Sequence, residues 1–179
     1  STNNEYQKTA EIYQDGTYLK NNQSWHAEDS TWKAKHIKNI LDTNTIYPKT
    51  FCEIGCGAGE IIKELSLQYQ NSCFDGFELS PQAFEICKKK EAVHVKYYFK
   101  NLLMENNHYD CLLCIDVFEH VDDYLGFIKG LKPKAEYKIF HIPLDLSVFS
   151  ILTNLTIKAR ESIGHIHYFT KETALATLR

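Results

Sequence analysis

The sequence predicts an α/β fold built on a doubly wound, mainly parallel sheet, and three observations carry that expectation. Short apolar runs alternate with stretches of helical periodicity from residue 51 to residue 142. After its leading acid, the run Asp110-Cys-Leu-Leu-Cys-Ile115 is continuously apolar, as in a strand buried on both faces. Between the first strand and the first core helix, Gly55, Gly57 and Gly59 stand at alternate positions, which makes a turn where backbone can approach a ligand closely.

The elements follow in order. Residues 1–42 carry a polar, aromatic-rich leader and then a helix over 30–41. Residues 51–54 read as a strand, and residues 60–70 as a helix with Ile61, Ile62, Leu65 and Tyr69 on one side. The next strand covers 72–79. Ser80-Pro81 then starts a helix, Ser as N-cap and Pro at the first position, running to about residue 90 and burying Ala83, Phe84, Ile86 and Cys87. Strands follow at 93–99 and 110–115. A short helix covers 125–131 and stops near Lys132-Pro133, and a fifth strand at 137–142 is stopped by Pro143. Residues 144–169 show an apolar helical pattern (Leu146, Phe149, Leu152, Leu155) before Gly164-His-Ile-His-Tyr-Phe169, and a last helix runs from near Thr170 to the end.

Right-handed crossovers place the ligand crevice of such a sheet at the carboxyl ends of its strands, beside the first one. The glycine turn, Glu78, Asn101, residues 116–123 and His141 all fall at strand ends on this reading. That convergence says more than any single motif.

Composition narrows the function classes. The chain has 179 residues, 44% of them apolar and 24% charged, which suits one globular domain. Lys and Arg number 20 against 23 Asp and Glu, a net charge of −3 that gives no support for a nucleic-acid partner. No apolar run approaches the roughly 20 residues that span a bilayer, so no membrane partner is expected. Ser1-Thr-Asn-Asn is polar and unlike a signal peptide, and the lack of an initiator Met reads as processing or an incomplete chain. Four of the six cysteines lie in apolar, strand-like runs, which suits buried thiols in a reducing cytoplasm. Cys111 and Cys114 stand three apart on a strand and face opposite sides. They do not converge on a metal, and none is expected.

Glu53-Ile-Gly-Cys-Gly-Ala-Gly59 resembles the first motif of the class I methyltransferases, which use S-adenosylmethionine (SAM). Glu78 stands at the family's usual distance beyond it, at the end of the second strand. Lys100-Asn101-Leu102 resembles the adenine-contacting segment. Asp116-Val-Phe-Glu-His-Val121 closely resembles the fourth motif of small-molecule methyltransferases, D-x-x-E-H-V, and Leu131-Lys-Pro133 is a further family habit. The resemblance covers about residues 50–143. It implies a Rossmann-like fold with two more strands after the last helix, so the chain reads as truncated before them or ending in a disordered tail.

The resemblance also implies a cofactor shell. Glu78 is expected to accept hydrogen bonds from the ribose hydroxyls, as a strand-end acid does in nicotinamide-binding folds. Leu79 is expected against an adenine face, and Asn101 with Leu102 at the adenine edge. Glu53 is expected near the methionyl ammonium, with Gly55, Cys56, Gly57 and Gly59 around it and Asp116 and Val117 lining the same end. Trp25 and His26 lie in a leader that commonly folds over the cofactor in this family. They are a candidate lid, giving residues 1–42 as leader and residues 43–179 as the SAM-binding domain, with 144–169 on the substrate side. His120, His141, His165 and His167 are candidate bases. His120 ranks first because it follows the fourth strand, near where the methyl group should point.

The expected activity is methyl transfer from SAM, which leaves S-adenosylhomocysteine (SAH), to an O, N or C nucleophile of a small metabolite. The acceptor is expected between the leader (Tyr18, Trp25, His26), the His120 loop and residues 144–169. There is no Asn/Asp-Pro-Pro-aromatic after the fourth strand and no Pro-Cys, the marks of DNA amino- and C5-pyrimidine methylation. A non-catalytic SAM-binding protein and a nicotinamide-dependent oxidoreductase are the alternatives. The latter usually has Gly-x-Gly-x-x-Gly, whereas here Glu60 follows Gly59.

Overall fold

The computed structural model of the chain describes residues 27–179, with side chains from residue 29. The described residues fall into two compact bodies. One holds residues 27–115 and 133–140, the other residues 116–132 and 141–179.

The first body is the sheet and its helices. It runs α1 (Ala27–Thr43), β1 (Thr50–Ile54), α2 (Glu60–Gln68), β2 (Cys73–Glu78), α3 (Pro81–Cys87), β3 (Val95–Phe99), β4 (Tyr109–Ile115) and most of β5 (Ala135–His141). The strand order is β3-β2-β1-β4-β5, with β1 parallel to β2 and β4, and β2 parallel to β3. This is the doubly wound order, which reverses direction beside β1 and so opens a crevice at its carboxyl end. The register sets Glu53 opposite Gly76 on one side and Leu113 on the other.

Burial follows the sequence pattern. Phe51, Phe74, Leu112 and Leu113 are fully buried in the sheet, and α2 turns Ile61, Ile62 and Leu65 into the same core. Helix α1 packs on α2 and buries Ala34, Ile37 and Leu41. Ser80 caps α3 as expected, its hydroxyl accepting from Ala83 N–H. That helix is shorter than the sequence suggested, because it tightens into a 3-10 turn at Lys88–Lys90 and leaves Phe84 and Ile86 only half-buried. The third strand begins at Val95, since Ala92 and Val95 bond to each other in a turn that leaves Val93 exposed.

Buried Cys111 and Cys114 lie on β4, neither in a disulfide, and burial pushes the Cys111 pKa up to about 12.

The second body begins at Asp116. It contains a 3-10 turn at Phe118–His120, α4 (Tyr124–Leu131), α5 (Val148–Leu152), α6 (Leu155–Ile163) and α7 (Lys171–Leu178). Phe118, Tyr124 and Phe169 form its aromatic centre, with Phe118 and Phe169 edge to face at 5.2 Å. The apolar pattern over 144–169 forms two short helices rather than one. Asn154 sits between them with φ 56°, so the stripe breaks there, and Phe149 and Leu152 are exposed. Among the described residues, no helix is long and apolar enough to cross a membrane.

Candidate functional site

The glycine turn follows β1 and wraps against the end of β2. Gly55, Gly57 and Gly59 all have positive φ, at 65°, 54° and 79°. Gly55 and Cys56 donate their N–H groups to the Phe77 carbonyl at 2.8 and 3.1 Å, and Gly59 donates to the Cys56 carbonyl at 2.8 Å. The Gly57 N–H goes to Glu78 Oε2 at 2.7 Å. These four donors are thus committed within the protein. The turn is also clamped from β3 and the 3-10 turn before it, where Tyr97 donates its hydroxyl to the Gly59 carbonyl and Lys90 Nζ donates to the Ala58 carbonyl at 2.6 Å.

Glu78, expected from the sequence as a ribose acceptor, is tied into the backbone around it. Its Oε1 accepts from Leu79 N–H and Ser80 N–H at 2.8 and 2.7 Å, while Oε2 holds Gly57. A carboxylate has about four lone-pair sites, so three are used and the group is oriented before any ligand arrives. Burial raises its pKa above the ordinary 4.5, and the bonds from Ser80, Gly57 and Leu79 pull the other way.

The remaining cofactor-side residues divide. Leu79, beside this carboxylate, is 61% exposed, so it is not ordinary core and presents an apolar surface that a flat ring would cover. Asn101 caps the 3-10 turn Leu102–Met104, its Oδ1 accepting from Leu103 N–H at 3.0 Å. Its oxygen is therefore held by backbone, and the amide N–H group is the part suited to a ligand. Leu102 is fully buried and acts as core. Glu53 is buried on β1. Cys56 is also buried. A hydrogen bond with Cys87 and desolvation hold its thiol pKa well above the usual range, so it is no nucleophile. Trp25, His26 and Tyr18 lie outside the described residues.

In the second body, Asp116 has φ 54°, a backbone conformation uncommon for a residue other than glycine. A reciprocal clasp holds it: its N–H donates to the His141 carbonyl at 3.0 Å, and His141 Nδ1 meets its Oδ1 at 2.5 Å. Strained residues held this firmly gather at functional sites. Val117 caps the 3-10 turn that carries Phe118, Glu119 and His120.

The structure brings His120 and the 164–169 segment together. His120 Nδ1 meets the Gly164 carbonyl at 3.0 Å, and the Glu119 carbonyl accepts from Ile166 N–H and His167 N–H. His167 Nε2 donates to the Val121 carbonyl at 2.8 Å, and its ring lies 4.5 Å from that of Tyr124. His165 Nδ1 donates to Asp145 at 2.6 Å. The sequence reading missed one constellation. Glu119, His120 and His165 present ligand atoms that all lie within 4.8 Å of one another. Adjacent Glu119 and His120 were a visible signal, but their third member is remote in sequence.

The arrangement can be tested against the expected cofactor. A pyrophosphate needs backbone N–H donors, and four of the turn's donors are already engaged. A ligand that brings its own hydroxyl and ammonium donors meets an oriented carboxylate and an apolar cover instead. The residues fit SAM better than a dinucleotide.

Comparison with known proteins gives the same direction. A profile of the methyltransferase domain family matches residues 24–178. Norajmaline N-methyltransferase of Rauvolfia serpentina is 30% identical over 107 residues, covering 55% of this chain and 36% of that enzyme. Ubiquinone biosynthesis O-methyltransferase of Rickettsia bellii (strain OSU 85-389) is 25% identical over 130 residues, covering 63% and 54%. The chain thus spans between about a third and about a half of the curated relatives it matches. Among solved structures, the magnesium protoporphyrin IX methyltransferase of Synechocystis PCC 6803 with bound SAH aligns with a TM-score of 0.65 at 15% identity, covering 82% of this chain and 70% of that one. The plantazolicin methyltransferase in complex with a triazolic desmethylPZN analogue and SAH aligns with a TM-score of 0.64 at 15% identity, covering 92% and 66%. At such identities these two speak to the fold.

Proposed function

The chain belongs to the methyltransferase domain family, and from that premise we propose that it transfers the methyl group of SAM to an O, N or C nucleophile of a small metabolite. The observation that carries this reading is Glu78. Its carboxylate is fixed by three backbone N–H groups at the lip of a turn whose own donors are committed. SAM supplies a reactive methyl on a sulfonium, so the protein's task is alignment and exclusion of water.

In this reading Glu78 accepts a ribose hydroxyl with its remaining capacity, and Leu79 covers the adenine. The Asn101 amide donates to the adenine edge. Glu53 favours the methionyl ammonium, with Gly55, Cys56, Gly57 and Gly59 shaping the approach, and Asp116 and Val117 are assigned to the cofactor on the sequence motif alone. Trp25 and His26, outside the described residues, are assigned as its lid on sequence position alone. The names of the relatives include an N- and an O-methyltransferase, which supports a small-molecule acceptor of either kind. His120, on the turn after Asp116, acts on the acceptor. A carbonyl only accepts, so Nδ1 carries the proton given to Gly164 and Nε2 carries the lone pair.

Calorimetry with SAH and with NAD separates this reading from its rivals. SAH is expected to bind and NAD to show no heat. Binding of NAD in preference to SAH would overturn the assignment. His120→Ala is expected to lower turnover at least tenfold while SAH affinity stays within about threefold. An equal loss of both would move His120 to the cofactor side.

A further inference from the structure

We propose that Glu119, His120 and His165 form a binding site for a divalent first-row transition ion such as Zn²⁺. The three residues offer one carboxylate oxygen and two imidazole nitrogens within 4.8 Å of one another. His120 Nε2 already stands 3.9 Å from Glu119 Oε1, and the two imidazole rings lie 4.8 Å apart in an edge arrangement. Glu119 is fully buried, His165 is 7% exposed, and His120 is part-buried. This is not a solvated acidic cluster of the kind common on surfaces.

The tautomers carry the argument further. His120 Nδ1 faces the Gly164 carbonyl, and His165 Nδ1 faces the Asp145 carboxylate. Neither oxygen can donate, so in each neutral ring Nδ1 holds the proton and Nε2 holds the lone pair. In His120 that lone-pair nitrogen is the one beside Glu119, and in His165 Nε2 is the nitrogen that can take a metal. Outer partners of this kind, a carboxylate and a carbonyl on the far side of each imidazole, fix ligand orientation in metal centres and raise ligand basicity. His167 bonds the other way round, through Nε2 to Val121, and is not part of the set.

Two imidazoles and one carboxylate suit Zn²⁺ or a neighbouring divalent ion rather than Mg²⁺ or Ca²⁺, which prefer all-oxygen shells. At bond lengths of about 2.0–2.1 Å, the ligand atoms of a tetrahedral shell stand roughly 3.3 Å apart, so binding draws the three closer than they are here. Three protein ligands leave a position open. An acceptor hydroxyl bound there would have a lowered pKa and lose its proton to solvent water, with no side-chain base needed. His120 is then a ligand, not a general base. This last step rests on the methyl-transfer reading, whereas metal binding does not.

The test is calorimetric titration of the 179-residue chain with ZnCl2, in a Cys73→Ser background that removes the exposed thiol. One equivalent is expected to bind. Affinity should fall at least tenfold in Glu119→Gln and in His165→Gln, and about tenfold in Asp145→Asn, which acts by positioning His165. His108→Gln, at an exposed ring bonded to Pro133, should change nothing. CoCl2 gives a second readout, with visible absorption bands in the parent that are lost in His165→Gln. Should Glu119→Gln fail to fold, the His165 and Asp145 variants carry the test. No binding to the parent, or equal binding in all variants, overturns the site. SAH is titrated separately. Zn²⁺ bound without SAH leaves the metal site standing and removes the methyl-transfer reading, and the reverse removes only the site.

Discussion

Replacing Glu78 with Ala is expected to cost at least tenfold in SAH affinity and about 2–4 kcal/mol in stability. Three backbone N–H groups lose their acceptor at once, those of Gly57, Leu79 and Ser80. Each lost bond to a charged group is worth about 1.5–3 kcal/mol, less where water can replace the acceptor, as beside exposed Leu79. The same change releases Gly57 and leaves the turn tied to β2 through Gly55 and Cys56 alone, so the turn is loosened as the acceptor is lost. A pH series gives a second readout. In the proposed reading ribose binding needs the carboxylate, and burial has raised the pKa of this group above 4.5. Affinity is therefore present above that raised pKa and falls as pH drops through it, earlier than an ordinary glutamate would allow. Glu78→Gln should flatten that acid limb. Melting temperature and SAH affinity both unchanged in Glu78→Ala would remove Glu78 from the site.

The β1, β2 and β4 strands and the turn after β1 were legible because each is written locally. A short apolar run, a glycine turn and a capping Ser-Pro need no distant partner to declare themselves. Glu78 was legible as a residue but not as a geometry. Its place after β2 marks a ligand contact, yet nothing in sequence says that three of its lone-pair sites go to backbone. Asn101 is similar, since the sequence placed it at the adenine edge but did not show that its oxygen caps Leu103 N–H. The Glu119–His120–His165 set was not legible, because His165 reaches the pair only through the packing of 164–169 on the Phe118 turn. In the 144–169 segment the apolar period was real, but Asn154 in a left-handed conformation breaks it, and periodicity alone does not reveal a break in phase.

Gly59→Ala is expected to destabilise the fold by about 2–5 kcal/mol, a large part of the roughly 5–15 kcal/mol typical of a whole domain. Two costs combine. Gly59 has φ 79°, where an L side chain is strained by about 1–2 kcal/mol. A Cβ there would also stand 2.7 Å from Tyr97 Cε1 and Oη and 2.8 Å from Cζ. The ring cannot swing away cheaply, since Tyr97 is buried in the core and its hydroxyl bonds the Gly59 carbonyl at 3.0 Å. Either the ring or the turn must move, and movement of the turn carries Gly57 away from Glu78, so SAH affinity should fall with stability. The two costs can be separated. In a Tyr97→Leu background the steric part should largely vanish while the backbone part remains, giving a coupling of about 1–3 kcal/mol in a double-mutant cycle. Thermal and urea melts of the four chains, each with an SAH titration, read it directly. If Gly59→Ala kept the parent's melting point and SAH affinity, the close approach of Tyr97 to the turn would be wrong, and with it the clamp that holds the cofactor side in shape.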